Sequence, residues 1–210
     1  MAQRFSIHPQ NPQKRLIDRA VELLRSGGVV VYPTDSSYAL GCRIDAKEAL
    51  DRIRQIRQLP PHHQFSIACR DLSQAAHFAR LTAEAFPIVR QLIPGPYTFI
   101  LKATRELPRR LQHPKRKTIG VRLPDHPVAM ALLEVLGEPI FTTTLILPGE
   151  EEALSDPEEI VSRIGRQVDL ILDVGEVPYE PTTVIDFTGG APEVIRWGKG
   201  ADAVRKIVGE

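Results

Sequence analysis

Two stretches carry residue types able to do chemistry. The first is Thr34-Asp35-Ser36-Ser37, three hydroxyls and a carboxylate in one turn. The second is Arg109 to Arg122, which holds six Lys/Arg and no Asp/Glu: Arg109, Arg110, Lys115, Arg116, Lys117 and Arg122. Short hydroxyls and a carboxylate can fix a small polar ligand, or they can satisfy their own backbone as an Asx/Ser turn. A local excess of cations suits an anionic partner, phosphate being the commonest, or it can be a solvated loop. On composition alone both alternatives stay open for both stretches. No aromatic residue interleaves the basic stretch, so nothing there supports stacking on single-stranded bases.

Other chemistries leave no trace. There is no Gly-rich loop ending in Gly-Lys-Ser/Thr, so a P-loop nucleotidase is not expected. Nothing resembles a nucleophile elbow. Cys42 and Cys69 lie in apolar surroundings; they could pair, but in a cytosolic protein they read as buried thiols, and with scattered histidines they give no zinc spacing. The Glu150-Glu151-Glu152 run reads as an exposed loop.

The elements that must position these residues follow from periodicity. Val29-Val30-Val31 reads as a buried strand, stopped at Tyr32-Pro33, because Pro33 has no N–H to offer a ladder. The polar turn therefore stands at a strand end, and Tyr38 to Cys42 resumes the apolar pattern. Before it, Asn11 and Pro12 signal a helix start, with Leu16, Ala20, Leu23 and Leu24 inward and Gly27-Gly28 as the stop. Asp45 is expected to cap a helix over Ala46 to Gln58, with Arg52, Arg54 and Arg57 outward.

Further strands are expected at Phe65–Cys69, Tyr97–Lys102, Thr118–Arg122, within Pro139–Leu147, at Leu170–Leu172, Thr183–Asp186 and Val194–Arg196. Helices are expected at Asp71–Arg80, Thr82–Leu92 with a kink or break at Pro87, Pro127–Leu136, Glu158–Ile164 and Asp202–Val208. Interleaved strands and helices predict one α/β domain with a twisted mixed sheet over residues 1–210 (core about 10–200), without repeat, linker or low-complexity tract.

The chain has 210 residues, a net charge of +1, 42% hydrophobic and 25% charged residues, ordinary for a globular domain. Global basicity cannot argue for nucleic acid at that charge. No apolar run reaches membrane-spanning length and the first residues do not read as a signal peptide, so a cytoplasmic location without membrane is expected.

Five segments, Val30–Cys42, Pro94-Gly-Pro-Tyr-Thr98, Thr118–Pro127, Pro181-Thr-Thr-Val-Ile-Asp186 and Ile195-Arg196, together resemble the YrdC-like family, close to its YciO subgroup. Better-known members make threonylcarbamoyl-adenylate for tRNA modification. The resemblance implies a large concave, positively charged cavity that takes ATP as a substrate with Mg²⁺ beside it, and L-threonine. It also links the positive surface to double-stranded RNA or tRNA, so a binding module without turnover is the alternative. Thr34, Arg122 and Thr182 fall on substrate-binding positions and Arg57, Thr144 and Arg196 on nucleotide-binding ones. No residue is singled out as catalytic, and no protein metal ligand is implied.

Three positions depart from the family pattern. Leu59 replaces a cation, Ile146 an asparagine and Ala68 a histidine. A lost ionic hydrogen bond of the first kind removes about 1.5–3 kcal/mol. The expectation is a family pocket with weakened or altered activity.

Overall fold

The run of three valines enters the sheet as expected, and its alternation organises the molecule. In the computed structural model, which describes residues 1–209, Val31 packs on one side of the sheet and Val30 on the other. The strands are β1 (Gln3–Ser6), β2 (Val30–Pro33), β3 (Tyr38–Arg43), β4 (Ser66–Ala68), β5 (Tyr97–Lys102), β6 (Thr118–Arg122), β7 (Ile140–Thr144), β8 (Leu170–Asp173), β9 (Thr183–Asp186) and β10 (Glu193–Arg196). They form one mixed sheet in the order β1-β8-β2-β3-β7-β4-β6-β5-β9-β10. Pairing is parallel between β2 and β8, β4 and β6, and β5 and β9, and antiparallel between β2 and β3, β3 and β7, and β5 and β6.

The helices are α1 (Lys14–Arg25), α2 (Lys47–Arg57), α3 (Leu72–Phe78), α4 (Ala85–Leu92), α5 (Pro127–Leu136), α6 (Pro157–Ile164) and α7 (Ala201–Val208). They divide unequally between the faces. One core joins Val31, Leu40, Ile67, Phe99, Val121, Phe141 and Ile185 to buried residues of α2, α3, α4, α6 and α7. The other joins Val30, Tyr32, Ala39, Ala68 and Ile140 to α1 and α5 alone, which pack on each other. Two helices cannot cover ten strands. Their cover ends at Ala68 and Ile140; beyond it, from the far ends of β7 and β4 across β6, β5 and β9, that second face has no helical cover, and that gap is the cavity described below.

Several boundaries differ from the sequence expectation. Helix α1 begins at Lys14 with Gln13 as its first flanking residue, not at Asn11 and Pro12. The His8 ring nitrogen Nδ1 accepts from the backbone N–H groups of Gln10 and Asn11, so that segment is spent on a loop. The buried face of α1 is Ile17, Ala20, Val21 and Leu24, with Leu16 and Leu23 only flanking it. Asp45 does not cap α2; its carboxylate pairs with Arg43 at 3.0 Å. Pro87 neither kinks nor divides α4, because it lies in the first turn, where its missing N–H has no partner to lose. Asp71 and Asp156 cap α3 and α6 through backbone N–H groups of Gln74 and Glu158. Strand β1, unmarked in the sequence, exists by pairing with β8. Cys42 and Cys69 are free and buried, and burial pushes the Cys42 thiol up to about 12.

Candidate anion-binding cavity

The uncovered half-face gains its polarity strand by strand. A strand sends alternate side chains to opposite faces. Phe141 feeds the helix-covered core while Thr142 and Thr144 point the other way, as do Thr98 and Ile100 beside Phe99, and Arg122 beside Val121. Register aligns them: Ser66 pairs with Thr142 on one side and Gly120 on the other, and Gly120 pairs with Ile100. A Cβ on Gly120 would come within 2.3 Å of the Ser66 hydroxyl and 3.1 Å of the Phe65 carbonyl. Glycine there keeps the floor open.

The result is a hollow of about 520 Å³, within the range of small-molecule sites. Its lining holds four arginines, Arg57, Arg116, Arg122 and Arg196, several threonines and, among the described residues, no Asp or Glu. Ile100, Ile146, Val184 and Ile195 supply apolar wall.

Each arginine is held differently. Arg57, from the end of α2, donates through Nη1 to Thr143 Oγ1 at 2.6 Å and to the Thr144 carbonyl. Burial lowers its pKa to about 10, and its Nε is buried without a partner. Arg122 is nearly buried and ion-paired at 2.8 Å with Asp35, which is equally buried. It also donates to Ser36 Oγ at 3.0 Å, and its Nε likewise has no partner. Arg196 rests on the Thr182 carbonyl and hydroxyl, both at 3.0 Å, and Thr182 shares a hydrogen bond of 2.9 Å with Thr98. Arg116 reaches Gln64 Oε1 at 3.4 Å and Asp186 at 3.5 Å. Among the described residues Arg57 and Arg196 meet no carboxylate, so the hollow keeps uncompensated positive charge. His63 on its wall is pushed down to about 4, first by burial and then by Arg57, and is neutral at ordinary pH.

The polar turn closes on itself and on Arg122. The Thr34 hydroxyl donates to the Ser37 carbonyl at 2.8 Å and accepts from the N–H groups of Ser36 and Ser37. Asp35 accepts from Arg122 through one oxygen and from the Asp125 N–H at 2.8 Å through the other. The Asp35 carbonyl accepts from Lys199 at 2.6 Å. The turn is thus the cavity's buttress, tying β2 to β6 and to the C-terminal segment. Gly198 allows that segment to approach, since a Cβ there would lie 2.1 Å from the Pro181 carbonyl.

Of the six site residues read from sequence, Arg57, Arg122, Thr144, Thr182 and Arg196 line one hollow; Thr34 stands behind it with its hydroxyl occupied. Of the three departures, Ile146 faces the hollow, Leu59 packs against the core beneath α2, and Ala68 is buried under α1 and α5. Sequence reasoning missed His63, Gln64, Tyr179 and Thr98 as lining residues. Thr98 is recoverable from strand alternation; the other three come from loops, where no period marks them. The basic stretch does not act as one patch. Arg116 and Arg122 enter the hollow, Arg110 donates to the Ile44 carbonyl, and Arg109 and Lys117 turn elsewhere.

Comparison with known proteins agrees with this construction. The family model Sua5_yciO_yrdC, described as telomere recombination, matches residues 22–198. The uncharacterised protein YciO of Escherichia coli is 56% identical over 95% of this chain and 97% of its own, and its crystal structure superposes with a TM-score of 0.92. A threonylcarbamoyl-AMP synthase of Vibrio vulnificus is 31% identical over 81% of this chain and 92% of its own. The crystal structure of P. abyssi Sua5 complexed with L-threonine is 25% identical, with a TM-score of 0.90; the match covers 99% of this chain and 61% of that one. The fold, the open half-face and the matched residues agree on one assignment: the chain belongs to the Sua5/YciO/YrdC family.

Proposed function

We propose that the cavity binds ATP together with L-threonine and supports synthesis of threonylcarbamoyl-AMP at a rate limited by its own lining. The observation that carries this reading is the four-arginine hollow whose lining, among the described residues, holds no carboxylate, with Arg57 and Arg196 left without an acidic partner. Guanidinium groups without a carboxylate partner form strong charge-assisted hydrogen bonds to phosphate or carboxylate oxygens. The L-threonine bound by the Sua5 structure and the activity named for the Vibrio relative point to the same substrates.

The chemistry needs stabilised charge more than a base. L-threonine amine and bicarbonate give a carbamate and water. A carbamate oxygen attacks the α-phosphorus, the bond to the β-phosphate oxygen breaks, and pyrophosphate leaves with that electron pair. Negative charge shifts to the leaving phosphates, and fixed cations there lower the barrier. Arg57 and Arg196, free of carboxylates, are the residues to hold it, while Arg122, already paired with Asp35, holds and orients the substrate carboxylate beside Thr182. With no carboxylate in the lining, a divalent ion would reach the site on the triphosphate rather than on protein ligands. Ile146 offers the nucleotide neither donor nor acceptor, and the slow rate is assigned to it.

Threonine-dependent release of pyrophosphate from ATP, Mg²⁺, bicarbonate and the purified protein tests this directly. Release is expected, reduced about tenfold or more by Arg196→Ala. Release no greater than a threonine-free blank removes the enzyme reading. The exposed positions of Arg116 and Arg196 at the mouth favour a second reading, capture of double-stranded RNA or tRNA, for which affinity must fall steeply with salt.

A further inference from the structure

Arg109 and Lys117, the members of the basic stretch that the cavity does not use, converge on a second hollow of about 580 Å³. Arg105, on the same loop as Arg109, and Arg80, from the segment after α3, join them, with Thr104 and Gln112 between, and among the described residues no Asp or Glu lines it. Glu106, the single carboxylate between residues 103 and 117, is exposed and outside the lining. Among the described residues none of these four cations meets a carboxylate, so their charge stays uncompensated within one concavity. Like charges gathered in one concavity repel, and an anion of several charges relieves that.

The frame is rigid. Leu107 and Leu111 are fully buried and pin the loop, and Gln112 donates to the Leu107 carbonyl at 2.9 Å. Thr104 donates through its hydroxyl to the His77 carbonyl at 2.7 Å. The Ala103 N–H donates to the Lys117 carbonyl at 2.9 Å, and Lys117 holds a left-handed backbone at φ 55°. That conformation is uncommon for lysine, and it falls where neighbouring side chains part: Arg116 enters the first cavity, Lys117 the second hollow.

We propose that this second hollow is a binding site for a small inorganic polyphosphate, separate from the nucleotide cavity. The ligand class follows from what lines it. Four cations, Arg80 after α3, Arg105 and Arg109 on one loop and Lys117 before β6, surround a concavity, matching the charge of a triphosphate or pyrophosphate. No aromatic ring lines it, so a nucleobase has nothing to stack on. A hollow, rather than an extended stripe, fits a compact anion better than a duplex backbone. The site shares no lining residue with the cavity, so it stands or falls apart from the synthase reading.

Titration of the full chain with sodium tripolyphosphate tests it. In the wild type, amide resonances of Thr104, Gln112 and Lys117 are expected to shift together on one saturable curve. In an Arg57→Gln, Arg196→Gln background, which disables the cavity, calorimetry is expected to retain one tripolyphosphate site. Adding Arg109→Gln and Lys117→Asn to it weakens that site about tenfold or more; asparagine suits the left-handed backbone while removing the charge. Unshifted amides in the wild type, or an affinity unmoved by the Arg109 and Lys117 changes, overturns the proposal. So does a short RNA duplex that displaces tripolyphosphate from these residues at far lower concentration, which would make the surface a nucleic-acid contact.

Discussion

At the scale of single residues, Asp35 does more than the turn around it suggested. It neutralises Arg122, holds the Asp125 N–H and receives Lys199 on its carbonyl. Removing one partner of a nearly buried ion pair costs about 3–5 kcal/mol, because the other is left charged and alone. Asp35→Asn is therefore expected to lower the free energy of unfolding by that amount in urea titrations, and to weaken ligand binding. An unchanged midpoint would mean that Arg122 finds another partner. Ile146 is the departure that reaches the hollow, whereas Leu59 and Ala68 are packed away from it. Ile146→Asn alone is expected to raise turnover about tenfold, and Leu59→Arg to add nothing in the pyrophosphate assay. These distinctions were beyond the sequence. A motif alignment names positions, but which of three departures faces the cavity depends on which side of α2 and β4 each residue lies.

At the scale of elements, the strands were legible because burial on both faces leaves long apolar runs, as at Val29–Val31 and Tyr97–Leu101. Helix α1 was legible as a helix but misjudged by one position, since Leu16-Ile17 and Ala20-Val21 offer two adjacent apolar stripes and only packing on α5 chooses between them. Strand β1 was illegible: Gln3-Arg4-Phe5-Ser6 has no apolar pattern, and pairing with β8 supplies what propensity does not. Five cavity residues were legible through motifs, while His63, Gln64 and Tyr179 sit on loops that carry no period. The floor belongs to β4, β6 and β7, and Gly120 is its thinnest point. Gly120→Ala forces Ser66 or the Phe65 carbonyl aside. The outcome expected is a fold retained by circular dichroism, a Tm lowered by several degrees and ligand affinity reduced about tenfold or more. Unaltered affinity would mean that the floor is not in contact with ligand.

At the scale of the whole molecule, stability should depend on pH through His63. Its pKa lies near 4 in the fold and near 6.5 when unfolded. The unfolded chain therefore binds the extra proton between those values, and stability is lost as pH falls from about 6.5 toward 4. With solvent screening of a half-buried ring the loss is on the order of 1–2 kcal/mol. His126 is shifted in the same direction, chiefly by burial, and adds to the slope. Replacing His63 with glutamine is expected to flatten the Tm profile in that window; an identical profile would shift the cause to other groups.

The architecture as a whole reduces to unequal covering: five helices on one sheet face, two on the other, and a cationic hollow where the cover ends. Crystals soaked with ATP test that most directly. Triphosphate density within hydrogen-bonding distance of Arg57 and Arg196, over the Ser66–Gly120 floor, is the result expected. An empty cavity at saturating ATP, or density only outside it, would contradict the claim that the uncovered half-face is a nucleotide site.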